Sequence, residues 1–270
     1  AFDFNKLSTS GKKGYFFFDD EMVALGAGIA STNAASIHTT LNQSQAVGEV
    51  LVDGNPIADG TMQTNGRWAY NDHIGYVFPN PTDFQVKRET KTGSWSGVVS
   101  GSSTEPITQS IFSIWLDHGV KPANASYQYI VLPNKTSDEV SSYASDIPVS
   151  ILSNTSSIQA VRHHALGVAE MLFYQPGTVT VRDGLTVTSD HPAMVIVDES
   201  AAPVRISVAN PETPGITVNV TLERNGETST TSFKLGKDTF TGRSMTLNEG
   251  ASIDVSGFDL AYDKGATASS

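Results

Sequence analysis

The sequence predicts an all-β protein, a large multi-stranded antiparallel β-sandwich followed by a small C-terminal β-sandwich. Three observations carry this reading. Apolar and β-branched residues recur in short runs with period 2, as in SIFSIWLDH (110–118) and SYQYIVLP (126–133). Turn chemistry separates the runs: Asp-Gly-Asn-Pro at 53–56, Asp-Gly at 59–60 and Asn-Gly at 225–226. Helix punctuation occurs in a single stretch, Lys135–Ala144, with Ser137 expected as the cap and Asp138 and Glu139 in the first turn. About fifteen short strands in a chain of this length suit two packed sandwiches, here residues 1–200 and residues 201–270.

Along the chain, Tyr15–Phe18 is an aromatic strand and Met22 opens an apolar one broken by Gly26 and Gly28. A small polar turn then leads to the β-branched run Ser36–Asn42, expected to form a hairpin with the strand before it. Glu49–Val52, Trp68–Tyr70, Ile74–Phe78 and Phe84–Thr90 read as short separate strands, divided by Asn, Asp, His and Pro clusters. Beyond the helix, Ile151–Leu152, Ile158–Arg162, Leu166–Tyr174, Thr178–Val181 and Ala193–Val197 continue the β pattern. From Val204 the runs RISVAN, ITVNVTLERNG, TSTTSFKL, SMTLNEG and ASIDVSG are more polar, as expected of a small sandwich, and the tail GATASS reads as disordered.

Composition narrows the function. With 28 acidic against 17 basic residues the net charge is −11, and no Lys/Arg cluster opposes it, so a nucleic-acid partner is not expected. No apolar run approaches the ~20 residues of a membrane helix. The opening AFDFNKLSTSGKKGYFFF lacks signal-peptide order, as expected of a processed chain or a segment of a longer one. Without cysteine there are no disulfides, thiolate ligands or thiol nucleophiles. Five sequons, at Asn42, Asn124, Asn134, Asn154 and Asn219, lean toward a secreted, extracellular glycoprotein.

The run GYFFFDDEMVALGAGI resembles the signature of polysaccharide lyase family 8, the hyaluronate, chondroitin AC and xanthan lyases. IHTTLNQ, WAYNDHIGYVFP with KRETKTGSW, SIFSIWLDHGVKPANASYQYIVLP and AEMLFYQPGTV continue the resemblance in order across nearly the whole chain. It implies β-elimination at a uronic acid in an acidic polysaccharide of hyaluronan, chondroitin or xanthan type. It also implies an N-terminal α/α toroid that carries the Asn, His, Tyr and Arg of the chemistry. This all-β chain would then form a wall of the substrate cleft and support that toroid, with no catalytic residue of its own. The alternative is a free-standing glycan-binding or adhesion module without enzymatic activity.

Asp19, Asp20 and Glu21 give three successive carboxylates, hard oxygen ligands that suit Ca2+. The resemblance implies calcium there, with Glu170, a charge in an apolar strand, as the distant fourth ligand. The competing reading is a solvated turn. For glycan contact the candidates are Trp68 and Trp95 as stacking platforms and Arg67 and Arg88 as carboxylate receptors. Sheet packing and surface ion pairs compete with these roles. Lys87 and Arg162 are further local cations, and His163–His164 lacks a carboxylate at fixed spacing. Asp117 and His118 are neighbours on a strand, so they point to opposite faces and make no dyad.

Overall fold

Residues 1–200, 202–210, 212–213, 215–236 and 243–247 are described in a computed structural model of the protein, whose strands form three antiparallel sheets. The chain divides into two units, Ala1–Pro148 and a second beginning at Val149. The expected boundary at 200/201 therefore lies some fifty residues too late. Physically, the strands from 158 to 197 pair and pack with those beyond 204: the second core runs from Ala160 to Leu235. The expected strand ASIDVSG and the tail GATASS lie outside the described residues.

The first unit contains β1 (Phe2–Lys6), β2 (Thr9–Phe17), β3 (Met22–Ser31), β4 (Ser36–Gln45), β5 (Leu51–Val52), β6 (Asn55–Pro56), β7 (Gly60–Asn71), β8 (Ile74–Gly93), β9 (Ile107–Val120), β10 (Ala125–Pro133) and α1 (Ser137–Ser145). The sheet runs β1-β2-β3-β10-β8-β7-β5-β6, with β9 on β8 and β4 on β9. β4 does not form the expected hairpin with β3: β2 and β10 already occupy both edges of β3, so β4 pairs with β9.

Two sequence runs expected as separate strands are one 20-residue strand, β8, bent at Pro79-Asn80-Pro81. Below the bend Ile74–Val77 pairs with β10; above it Gln85–Gly93 pairs with β9. Proline has no N–H to give a ladder, so a Pro pair marks where pairing is interrupted. β7 bends at the same level, its register jumping from Gly66 opposite Thr82 to Trp68 opposite Val77. Phe78 and Phe84 flank the corner with rings stacked at 4.7 Å. They join Tyr76, Phe112 and Ile114 in the buried cluster of this unit. Each such side chain contributes about 1.5–3 kcal/mol through burial.

α1 is capped by Thr136 rather than Ser137: its hydroxyl accepts from the Glu139 N–H while the Glu139 carboxylate takes the Thr136 N–H at 2.7 Å. That reciprocal pair satisfies two end amides, which a Ser137 cap would leave open. Val140 packs so closely that a Cβ on Gly75 would meet its Cγ2 at 2.4 Å.

The second unit contains β11 (Val149–Asn154), β12 (Ile158–His163), β13 (Val168–Phe173), β14 (Gly177–Arg182), β15 (Leu185–Ser189), β16 (Ala193–Asp198), β17 (Val204–Ala209), β18 (Thr217–Arg224), β19 (Glu227–Lys234) and β20 (Arg243–Leu247). A six-stranded sheet, β11-β12-β13-β16-β17-β20, faces a four-stranded one, β14-β15-β18-β19. Val179, Val187, Val195, Ile206, Val220 and Phe233 fill the space between them.

Candidate functional site

The corner of the β7–β8 hairpin decides the fate of two predicted glycan contacts. Asp53, at φ +46 in the Asp-Gly turn, accepts from the Arg67 N–H at 3.0 Å and the Trp68 N–H at 2.9 Å. The bulge it holds sends Trp68 inward, 7% exposed, and that excludes it as a stacking platform. Arg67 Nη2 donates to the Ala144 carbonyl at 3.0 Å, so its guanidinium serves the C-terminal turn of α1.

Above the corner, β8 and β9 outrun their neighbours. β7 stops opposite Arg88 and β4 opposite Ile111, whereas the hairpin pairs on to Gly93 opposite Ile107. Five residues of β8 (89–93) and four of β9 (107–110) therefore form a two-stranded arm that ends in the loop 94–106. Backbone bonds order the loop: Ser96 N–H to Ser103 O at 2.9 Å and Val99 N–H to Trp95 O at 2.8 Å. Trp95 stands at its start, 59% exposed, followed by exposed Val98 and Val99.

Cations collect at the foot of the arm and on it. Lys87 and Lys91 share the Glu89 carboxylate at 2.7 and 3.2 Å, and these two lysines hold the Glu89 carboxyl below its usual range. Arg88 is the next residue, its Nε 3.5 Å from Asp59. Of the four predicted contacts, Arg88 lies on β8 at the foot of the arm and Trp95 in the loop at its end; Arg67 and Trp68 lie on β7. Lys91, which is not among the predicted contacts, joins them here through the tight alternation of charge in KRETK.

The acidic run occupies the turn between β2 and β3. Asp19 and Asp20 are exposed, with Lys135 Nζ 3.4 Å from Asp20, while Glu21 is buried and faces Tyr143. Burial pushes the Glu21 carboxyl up, and the charges of Asp20 and Asp19 push it further. Among the described residues no group of three or more His, Asp or Glu is arranged to hold a metal ion. Glu170 lies on β13 of the other unit, abreast of Val161 and Ile196.

In that unit Arg162 is also engaged: its Nη2 is 3.6 Å from Glu199, which Arg182 grips through Nε and Nη2. His163 is buried and its Nδ1 accepts the Leu166 N–H at 3.1 Å; the His164 ring contacts the Ser150 hydroxyl at 2.8 Å. His118 pairs with the Thr39 hydroxyl at 2.8 Å, while Asp117 on the opposite face takes the Gly119 N–H at 2.8 Å. Of the sequon asparagines, Asn124 and Asn134 are exposed. The amides of Asn42 and Asn219 donate to Tyr76 and Asp190, and Asn154 accepts from Gln159 at 3.0 Å.

A separate apolar surface lies on β1 and β2. Register places Phe2 opposite Lys13, and Lys13, Tyr15 and Phe17 alternate onto one face. Phe2 is 54%, Tyr15 38% and Phe17 66% exposed. Lys13 Nζ lies 5.4 Å from the Phe4 ring on the same face.

The polysaccharide lyase family 8 super-sandwich domain matches residues 1–144, and the C-terminal β-sandwich domain of that family matches residues 150–219. Chondroitinase-AC of Pedobacter heparinus is 32% identical over 92% of this chain, and a xanthan lyase from a Bacillus species 34% identical over 83%. The hyaluronate lyase of Thermasporomyces composti is 36% identical over 79%. The chain spans only 36%, 26% and 28% of those three proteins. A solved chondroitinase AC lyase superimposes with TM-score 0.83 at 29% identity, over 91% of this chain and 37% of that one. A Paenibacillus xanthan lyase gives 0.74 at 28%, over 90% and 28%. Both β domains and their order agree, and the chain belongs to polysaccharide lyase family 8.

Proposed function

We propose that this chain is the non-catalytic β portion of a secreted lyase that cleaves an acidic polysaccharide of hyaluronan, chondroitin or xanthan type by β-elimination. In this reading a helical α/α toroid supplies the groups that neutralise the uronate and move the C5 proton. The observation that carries it is the aromatic face of Phe2, Tyr15 and Phe17. Three neighbouring exposed aromatic rings suit burial against another protein surface. N-linked glycans, in the same reading, sit on the exposed Asn124 and Asn134.

Material purified from its source is expected to carry a helical partner, covalent or co-eluting on size exclusion. The chain by itself is expected to produce no absorbance from unsaturated uronate with hyaluronan, chondroitin or xanthan. Product from this chain alone overturns the proposal, and a lone, inert chain favours a free-standing binding module.

Calcium enters the proposal through Asp19, Asp20 and Glu21, where a cation would relieve the repulsion that raises Glu21. No step of the reaction is assigned to it. Because the folded pKa of Glu21 is raised, its stabilising contribution is whole below the ordinary carboxylate pKa and is lost as pH rises through the folded value. Wild type is therefore expected to lose stability against Glu21→Gln on passing upward through that window. Calcium at neutral pH is expected to restore the difference in wild type only. Melting curves of both proteins with calcium and with chelator test this. Parallel pH profiles overturn the account of Glu21, and superimposable curves with and without calcium remove the metal.

A further inference from the structure

We infer that the β8–β9 arm is a glycan-holding element in which the Trp95 ring lies against a sugar ring and Lys91 meets an acidic group of the same polymer. The inference rests on the reading of the chain as part of an acidic-polysaccharide lyase, and it assigns that contact to specific side chains.

Trp95 lies outside the buried core. The short 3-10 turn Trp95–Gly97 buries none of its residues, and the loop is ordered by its own backbone bonds. A large indole held 59% exposed on an ordered loop is an open flat surface, of the kind that receives the C–H face of a pyranose. The same loop carries hydroxyls: Ser94 and Ser96 bond each other at 2.8 Å, and the Ser103 hydroxyl takes the Glu105 N–H at 3.1 Å.

Charge selects the polymer. Residues 85–99, QVKRETKTGSWSGVV, carry three cations and one acid within a protein of net charge −11. Glu89 compensates one of its two lysines, and the Lys91 side chain is 62% exposed. Lys87, Glu89 and Lys91 share one face of the ribbon. Trp95 follows Lys91 by four positions, at most about 13 Å of extended chain. A stacked ring and a carboxylate or sulfate farther along one chain can meet both. A neutral glycan gains nothing from Lys91.

Hyaluronan, chondroitin sulfate and xanthan oligosaccharides, with dextran as the neutral control, are to be titrated against the whole chain. Trp68 is buried and Trp115 half-buried, so iodide quenching reports mainly Trp95. At least one acidic glycan is expected to protect the indole from iodide. Trp95→Ala is expected to weaken binding about five- to tenfold, with Trp95→Phe retaining most of it. Lys91→Ala is expected to cost about threefold, a loss that shrinks as salt rises above ~0.15 M. Unchanged melting temperatures are expected, since neither side chain lies in the buried core. Wild-type affinity in Trp95→Ala, or no protection by any acidic glycan, overturns the inference; equal binding of dextran overturns the role of Lys91. Self-association that Trp95→Ala abolishes would assign the loop to a second copy and also overturn it. The two readings fail separately: unsaturated product from the chain alone refutes the proposed function, whereas an inert chain with an unresponsive Trp95 refutes only the arm.

Discussion

Replacing Glu199 by alanine is expected to cost the second unit about 2–3 kcal/mol, because it strands two arginines at one end of the core. Glu199 follows β16 in the six-stranded sheet, and its carboxylate accepts from Arg182 of the four-stranded sheet through both Nε and Nη2. Arg162 of β12 approaches the same carboxylate at 3.6 Å. The acid thus ties the two sheets where the apolar filling of Val181 and Val197 ends. Its side chain is 13% exposed, those of Arg162 and Arg182 18% and 31%, so water screens the arginines in part. This exposure places the cost below the 3–5 kcal/mol of a fully buried pair. Glu199→Gln, which keeps shape and one acceptor, should lose about half as much. Arg162→Met should cost about 1 kcal/mol, since Arg182 keeps its bidentate grip. Urea unfolding followed by circular dichroism gives these differences. A Glu199→Ala protein as stable as wild type would mean that the triad orients the sheets without stabilising them.

The same triad explains why the candidate site was only partly legible in sequence. Arg162 stood out as an isolated cation beside two histidines, but its partner is 37 residues away and its role depends on two sheets facing each other. Period-2 alternation and turn residues do give the strands, because both are local. Pairing partners are not local: Ser36–Asn42 has the pattern of a hairpin strand, and only the occupancy of both edges of β3 sends it to β9. The domain boundary failed for the same reason, since the strands beyond 204 are more polar in sequence yet share one core with those before 200. The exposure of Trp95 was legible because a place in a loop follows from its Ser and Gly neighbours. Trp68 has similar neighbours and is buried by a bulge that no local rule announces. The family motifs, by contrast, are read in order along the chain and needed no knowledge of pairing.

Asp53→Ala is the second large effect expected, about 2–3 kcal/mol, and it acts on the corner from which the arm rises. The carboxylate makes charge-assisted bonds to two successive amides, Arg67 and Trp68, in the one place where β7 departs from its ladder with β8. The ladder has no rung at Arg67: the register passes from Gly66 opposite Thr82 to Trp68 opposite Val77, skipping the stretch that holds Pro79-Asn80-Pro81. Removing the acceptor leaves them unsatisfied, and the Trp68 amide precedes a side chain that is 7% exposed. Gly66 belongs to the same device: a Cβ there would meet Asp53 Oδ2 at 2.7 Å and Phe84 Cε1 at 3.2 Å, so Gly66→Ala should displace the carboxylate and reproduce part of the loss. Asp53→Asn keeps one acceptor and should cost about 1 kcal/mol. Because Trp68 loses its anchor, its fluorescence should shift to the red in Asp53→Ala before global unfolding, with Trp95 unchanged in its access to iodide. Loss of stability without that red shift would place the damage in the Asp-Gly turn itself, where Asp53 is held at positive φ, and not in the bulge. If the corner loosens as expected, glycan affinity through Trp95 should hold, since the arm above Arg88 is built from its own ladder of β8 on β9.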